Sequence, residues 1–93
     1  MQEIATRYGV LDTFDSDDLI CRCLAKYGEW AQYEVQFVAD NIAPGCRIAD
    51  VGAFLGTFGL GLGRLAKPDG LCFVEANAAT AALLRKTSPA MLR

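Results

Sequence analysis

A chain of 93 residues, 53% hydrophobic and 22% charged, has the composition of one small globular domain rather than of a disordered tail. Its net charge is −2, and only Arg85 and Lys86 adjoin among nine basic residues. That excludes a surface built for nucleic acid, which needs clustered Lys and Arg.

No apolar run reaches the ~20 residues that a membrane-spanning helix requires. The first residues, Met1-Gln2-Glu3-Ile4, lack the basic-then-apolar pattern of a leader. Four cysteines, at 21, 23, 46 and 72, come with no histidine. The expectation is ordinary thiols in a reducing cytoplasm, with no disulfide framework and no metal site.

In chain order, residues 7–24 read as a β-hairpin or irregular β segment that covers one edge of a sheet. Tyr8–Phe14 and Leu19–Leu24 are its strands, and Asp15-Ser16-Asp17-Asp18 is its turn. On such a strand Cys21 and Cys23 would point the same way. Gly28 breaks the chain, and 29–42 reads as a helix stopped by Pro44-Gly45. Its apolar stripe is Trp30, Tyr33, Phe37, Val38 and Ile42. Glu34 falls inside that stripe, where a carboxylate needs a partner: a loop amide, an arginine or a ligand.

Residues 46–86 read as a strand–helix–strand–helix unit, with a right-handed crossover expected. Cys46–Val51 does not alternate cleanly, as expected of a parallel strand covered on both faces. A glycine turn, 52–56, leads into a helix over Thr57–Ala66. Lys67-Pro68-Asp69-Gly70 ends that helix, and Leu71–Val74 is the next strand. Asn77 is placed to cap a last helix over Ala78–Lys86. Gly56, Gly59 and Gly63 share one side of the 57–66 helix and predict close packing on the sheet; Gly61 faces elsewhere without an evident reason.

The turn carries the chemistry. Glycines between a strand and a helix let a ligand approach the backbone, and free amides gather at a helix N-terminus. Glu75 ends the next strand, 25 residues after Asp50, where a carboxylate can accept both hydroxyls of a ribose. A dinucleotide site prefers Gly-x-Gly-x-x-Gly. Here the spacing is Gly52-Ala-Phe-Leu-Gly56-Thr-Phe-Gly59, and Asp50 precedes it. A carboxylate there repels phosphate and suits a cationic ligand such as the amino group of S-adenosylmethionine.

Tyr27-Gly28-Glu29-Trp30, Glu34, Pro44-Gly45, Asp50-Val51-Gly52-Ala53…Gly56 and Val74-Glu75 stand in an order that resembles the N-terminal portion of an FkbM-type S-adenosylmethionine-dependent methyltransferase. The likeness spans roughly residues 7–86. It implies an α/β class, a partial class I methyltransferase (Rossmann-like) fold. In it an N-terminal hairpin and helix precede the strand–helix–strand–helix unit, and the sheet is incomplete. It implies a single partial domain over 1–93 and, in an intact relative, O-methyl transfer to a hydroxyl of a small metabolite or sugar. By position, Asp50, Gly52, Ala53 and Gly56 would line the methionine end of the cofactor, and Phe54 and Thr57 of the same turn would also be cofactor-binding. Glu75 would hold the ribose, and Ala76 and Asn77 would lie beside adenine. Glu34 would approach the carboxyl–amino end or the loop that holds it. The family usually has Asn at the position of Phe54 and Pro at that of Ala76.

No catalytic residue is identified. With two strands of the parallel sheet legible, the expectation is a truncated form with little or no turnover. Two alternatives stand beside it: a dinucleotide-dependent oxidoreductase module, and a non-catalytic interaction domain whose open sheet is covered by a partner or a second copy.

Overall fold

The computed structural model describes residues 2–14 and 18–87. They form a small α/β arrangement with two separate two-stranded sheets. The elements are β1 (Gln2–Thr6), β2 (Gly9–Thr13), α1 (Leu19–Tyr27), α2 (Gln32–Asn41), β3 (Arg47–Val51), α3 (Thr57–Ala66), β4 (Gly70–Val74) and α4 (Ala78–Thr87). No helix among the described residues is long and apolar enough to cross a membrane.

The hairpin lies earlier than its sequence suggests. β1 and β2 pair antiparallel in the register Thr6↔Gly9, so Arg7 and Tyr8 form the turn. Thr6 fastens it: its hydroxyl donates to the Gly9 carbonyl at 2.7 Å and accepts the Tyr8 amide at 3.0 Å. Gly9 supplies the positive φ of 106° that closes so short a loop. The hairpin does not edge the β3–β4 sheet; β1 packs on α1 and β2 on α4.

Leu19–Tyr27 is a helix, not the second hairpin strand. Asp18 caps it by accepting the Cys21 amide at 2.9 Å. Cys21 and Leu24, three apart, share its buried face. Gly28, left-handed at φ 74°, closes it, its amide donating a hydrogen bond to the Leu24 carbonyl. On a helix, Cys21 and Cys23 diverge. Cys21 is buried, and its thiol is pushed up to about 11 by that burial and by Asp18, whereas Cys23 stays half-exposed. The other predicted turn residues, Asp15 to Asp17, lie outside the described residues.

The next helix starts at Gln32, later than its pattern suggests, and turns a different face inward. Val35 is fully buried, while Tyr33 is 93% and Phe37 68% exposed. The periodicity favours a stripe of which Trp30, Val38 and Ile42 are half-buried, but the partner surface selects Val35 over Tyr33 and Phe37. The Val35 Cγ1 meets α3 at Gly61, where no side chain intervenes. This accounts for Gly61, which faces α2 and Tyr8 rather than the sheet.

From β3 onward the expected order holds. β3 and β4 run parallel in the register Ile48↔Leu71, Asp50↔Phe73. The expected close packing of α3 is also present. A Cβ at Gly56 would lie 2.6 Å from Leu84 and 3.6 Å from Phe73; one at Gly63 would lie 3.3 Å from Leu71. Phe73 is fully buried in a core shared with Leu11, Leu24, Leu55 and Leu84. One expectation fails: β3 is covered on one face only. Arg47, Ala49 and Val51 are exposed, and Val74 opposite Val51 is exposed too. Helices stand on one side of this pair, and nothing among the described residues covers the other.

Candidate functional site

The carboxyl ends of β3 and β4 lie side by side, and the glycine turn follows β3 there. Four of its five amides are committed within the chain. Those of Gly52 and Ala53 both donate to the Val74 carbonyl, at 2.8 and 3.1 Å, and that of Gly56 donates to the Ala53 carbonyl at 2.9 Å. The Phe54 amide donates to Glu75 Oε1 at 2.8 Å. Three residues take left-handed backbone here: Gly52 (φ 75°), Gly56 (φ 86°) and Phe54 (φ 53°). For a side chain as large as Phe that conformation is strained.

Glu75 is the hinge of the site. One oxygen takes the Phe54 amide, and the other takes the Asn77 amide at 2.9 Å. These bonds, Asn77 first and Phe54 second, hold its carboxyl below the usual glutamate range. An ionised carboxylate has about four acceptor positions, and two are in use. Ala76 and Asn77 beside it are exposed. Asn77 also caps α4, as the sequence suggests: its Oδ1 accepts the Thr80 amide at 3.0 Å and the Thr80 hydroxyl at 3.2 Å.

Asp50 faces the covered side of the sheet. Its Oδ2 accepts the Gly59 amide at 3.0 Å. Gly56 is the formal N-cap of α3 and has no side chain to offer, so Asp50 caps that helix from the neighbouring strand. Burial raises the Asp50 carboxyl, and the Gly59 hydrogen bond pulls the other way. Ala53, Gly56 and Thr57 are buried in the turn, while Gly52 is exposed and Phe54 half-buried.

The structure thus gathers Asp50, Gly52, Ala53, Phe54, Gly56, Thr57, Glu75, Ala76 and Asn77 around the strand ends. Glu34 lies elsewhere. It lines a cleft of about 500 Å³ with Cys23, Tyr27, Glu29, Trp30, Ala31, Gln32 and Tyr33. Trp30 stands between the two regions, since it also lines a shallow apolar hollow with Ile20 and Phe54. Periodicity alone does not unite these residues into a cleft. The available signal was local density: three aromatics and two carboxylates within Tyr27–Glu34. Among the described residues no group of His, Cys, Asp and Glu is placed to hold a metal ion.

No protein-family model, curated protein or solved structure matches the chain.

Proposed function

We propose that the β3–α3–β4–α4 unit is the cofactor half of a class I, Rossmann-like methyltransferase site and binds S-adenosylmethionine through its ribose at Glu75. The observation that carries the reading is the position of Glu75. It is an ionised carboxylate at the end of a parallel strand, fixed by the amides of Phe54 and Asn77, with acceptor capacity left over. Ligands of open α/β sheets sit in that crevice. A ribose diol donates two hydrogen bonds to such a group, and the exposed Ala76 and Asn77 flank the path an adenine ring would take.

The same geometry weighs against a dinucleotide. A pyrophosphate needs free amides at the helix N-terminus. Here the amides of Gly52, Ala53, Phe54 and Gly56 are used internally, and the Asp50 carboxylate already occupies the Gly59 amide, which leaves only those of Leu55, Thr57 and Phe58. The FkbM-like O-methylation of a hydroxyl-bearing small molecule in the cytoplasm belongs to this proposal as the reaction of an intact relative. The chain has no histidine, and methyl transfer rests mainly on holding a nucleophile in line with the methyl group.

Calorimetric titration with S-adenosylmethionine, S-adenosylhomocysteine and NAD tests the reading. The expected result is saturable binding of the first two, weakened at least about tenfold by Glu75→Ala because a charge-assisted pair of hydrogen bonds is lost. Saturable NAD binding, or affinity unchanged by Glu75→Ala, overturns it.

A second reading, an interaction surface, is favoured by one observation. Val51 and Val74 lie side by side on the uncovered sheet face, 75% and 46% exposed. Sedimentation velocity separates the two: a dimer broken by Val51→Lys, without cofactor binding, supports the surface.

A further inference from the structure

The cleft around Trp30, of about 500 Å³, lies apart from the strand ends. Three aromatic residues, Tyr27, Trp30 and Tyr33, line it together with Glu29 and Glu34; Trp30 is half-buried and the two tyrosines are exposed, so the aromatic wall is an open one. Its floor is fixed to the hairpin turn. The Arg7 amide donates to the Gly28 carbonyl at 2.9 Å, and the Arg7 guanidinium holds Glu29 at 2.8 Å. The Tyr8 hydroxyl accepts the Trp30 amide at 3.1 Å and reaches the Trp30 carbonyl and Gln32 Oε1 at 3.0 and 2.9 Å. Ala31, between them, is held left-handed at φ 56°, a strained conformation for any residue with a Cβ. The segment is therefore preorganised, not a loose loop.

The charges of the cleft differ in use. Glu29 is neutralised by Arg7, whereas the Glu34 side chain has no hydrogen-bond or ion-pair partner among the described residues. Tyr27 already serves as a cation platform: the Lys26 ammonium stands 5.3 Å from its ring centroid. Lys26 lines the neighbouring hollow with Tyr27 but does not line this cleft. Aromatic faces with a nearby carboxylate attract a weakly hydrated cation, and a quaternary ammonium is the ligand whose greasy, charged surface suits both. A cleft of about 500 Å³ admits such a group with room to spare.

We infer that the Tyr27–Glu34 cleft binds a small quaternary ammonium compound of the choline type, its methyl groups against Trp30 and Tyr33 and its charge balanced by Glu34. The site is separate from the Glu75 crevice and does not depend on cofactor binding there.

Trp30 is the only tryptophan of the chain, so its emission reports on the cleft directly. The full chain is titrated with choline chloride, tetramethylammonium chloride and 3,3-dimethylbutan-1-ol, the uncharged isostere of choline, at constant ionic strength. Saturable change with both cations is expected, with the isostere at least about fivefold weaker because it lacks the charge that aromatic faces attract. Glu34→Gln and Tyr33→Leu, both at exposed positions, are each expected to weaken choline binding about threefold, while Glu75→Gln leaves it unchanged. Equal response to the isostere, no saturation with either cation, or full affinity in Glu34→Gln overturns the proposal. The isostere comparison uses the unaltered chain and stands whatever the variants' stability.

Discussion

Glu75 and Phe54 lock the two loops at the strand ends together, the Phe54 amide donating to Glu75 Oε1 at 2.8 Å across 21 residues of chain. The Asn77 amide holds the other oxygen. Both bonds favour the ionised carboxylate, so the folded pKa lies below the ordinary value of 4.5. The unfolded chain therefore takes up this proton first as pH falls. The contribution of Glu75 to stability is complete above about pH 4.5 and is lost as pH drops through the lower folded value. Glu75→Gln should flatten the acid limb of melting temperature against pH below that point. An unchanged acid limb would show that the carboxylate does not tie the loops.

Asp50 should behave in the opposite sense. Burial raises its folded pKa above the ordinary 3.8, so the folded state binds the proton more tightly. Its contribution to folding improves as pH falls through the raised value toward 3.8 and is least favourable at neutral pH. Asp50→Asn keeps an acceptor for the Gly59 amide and removes the desolvated charge. Its stability at pH 7 should match or exceed the parent. Asp50→Ala leaves that buried amide unpaired, at a cost of about 1–3 kcal/mol. Urea denaturation of the two variants measures the gap; equal stabilities would refute the capping role.

These two carboxylates show what the sequence disclosed and what it hid. The strand–turn–helix–strand–helix order from Arg47 to Thr87 was legible because its signals are local: glycines at the turn, Pro68 and Gly70 at the helix end, Asn77 as a cap. That Asp50 and Glu75 stand near the turn was legible as well. Their partners were not. Asp50 reaches Gly59, nine residues on, and Glu75 reaches back to Phe54, and only the packing of α3 on the sheet sets both contacts. The first half was misread because Leu19–Leu24 suits a strand or a helix equally by composition. Asp18 and Gly28 decide for the helix. α2 was misoriented because its apolar residues nearly encircle it, and the choice of Val35 over Phe37 is made by the gap at Gly61.

That gap yields a graded test within one helix. A methyl group at Gly59 would collide with the fully buried Phe73 ring and stand 3.0 Å from Asp50 Oδ2. At Gly61 it would stand 2.8 Å from Val35 and 3.2 Å from Tyr8. At Gly63 it would meet only the end of the Leu71 side chain, at 3.3 Å. Alanine gains roughly 1 kcal/mol of helix propensity over glycine at each position. Overpacking costs about 1–3 kcal/mol where neighbours cannot yield. Gly59→Ala should therefore destabilise most and Gly61→Ala less, while Gly63→Ala should be neutral or stabilising. Thermal melts of the three variants check the order. A stabilising Gly59→Ala would mean that α3 does not rest on Phe73.

Tyr8 gives the sharpest link between the hairpin and the cleft. It is 3% exposed, and its hydroxyl accepts the Trp30 amide. The hydroxyl has one proton, which goes to the Trp30 carbonyl or to Gln32 Oε1 but not to both at once. Tyr8→Phe preserves the packed ring and removes the acceptor of the part-buried Trp30 amide, at a cost of about 0.5–1.5 kcal/mol. For a chain of this size that is a fall in melting temperature of about 4–8 °C per kcal/mol. Burial first of all, opposed by the Trp30 hydrogen bond, raises the Tyr8 pKa above the ordinary 10.0. Its contribution is present below pH 10.0 and is lost as pH rises through the folded value, so Tyr8→Phe should also flatten the alkaline limb. Hydrogen exchange localises the effect: the Trp30 amide should exchange faster in Tyr8→Phe while amides of the β3–β4 ladder keep their relative protection. Faster exchange spread evenly over both regions would mean that the hydroxyl supports the whole fold rather than clamping the segment that carries Trp30.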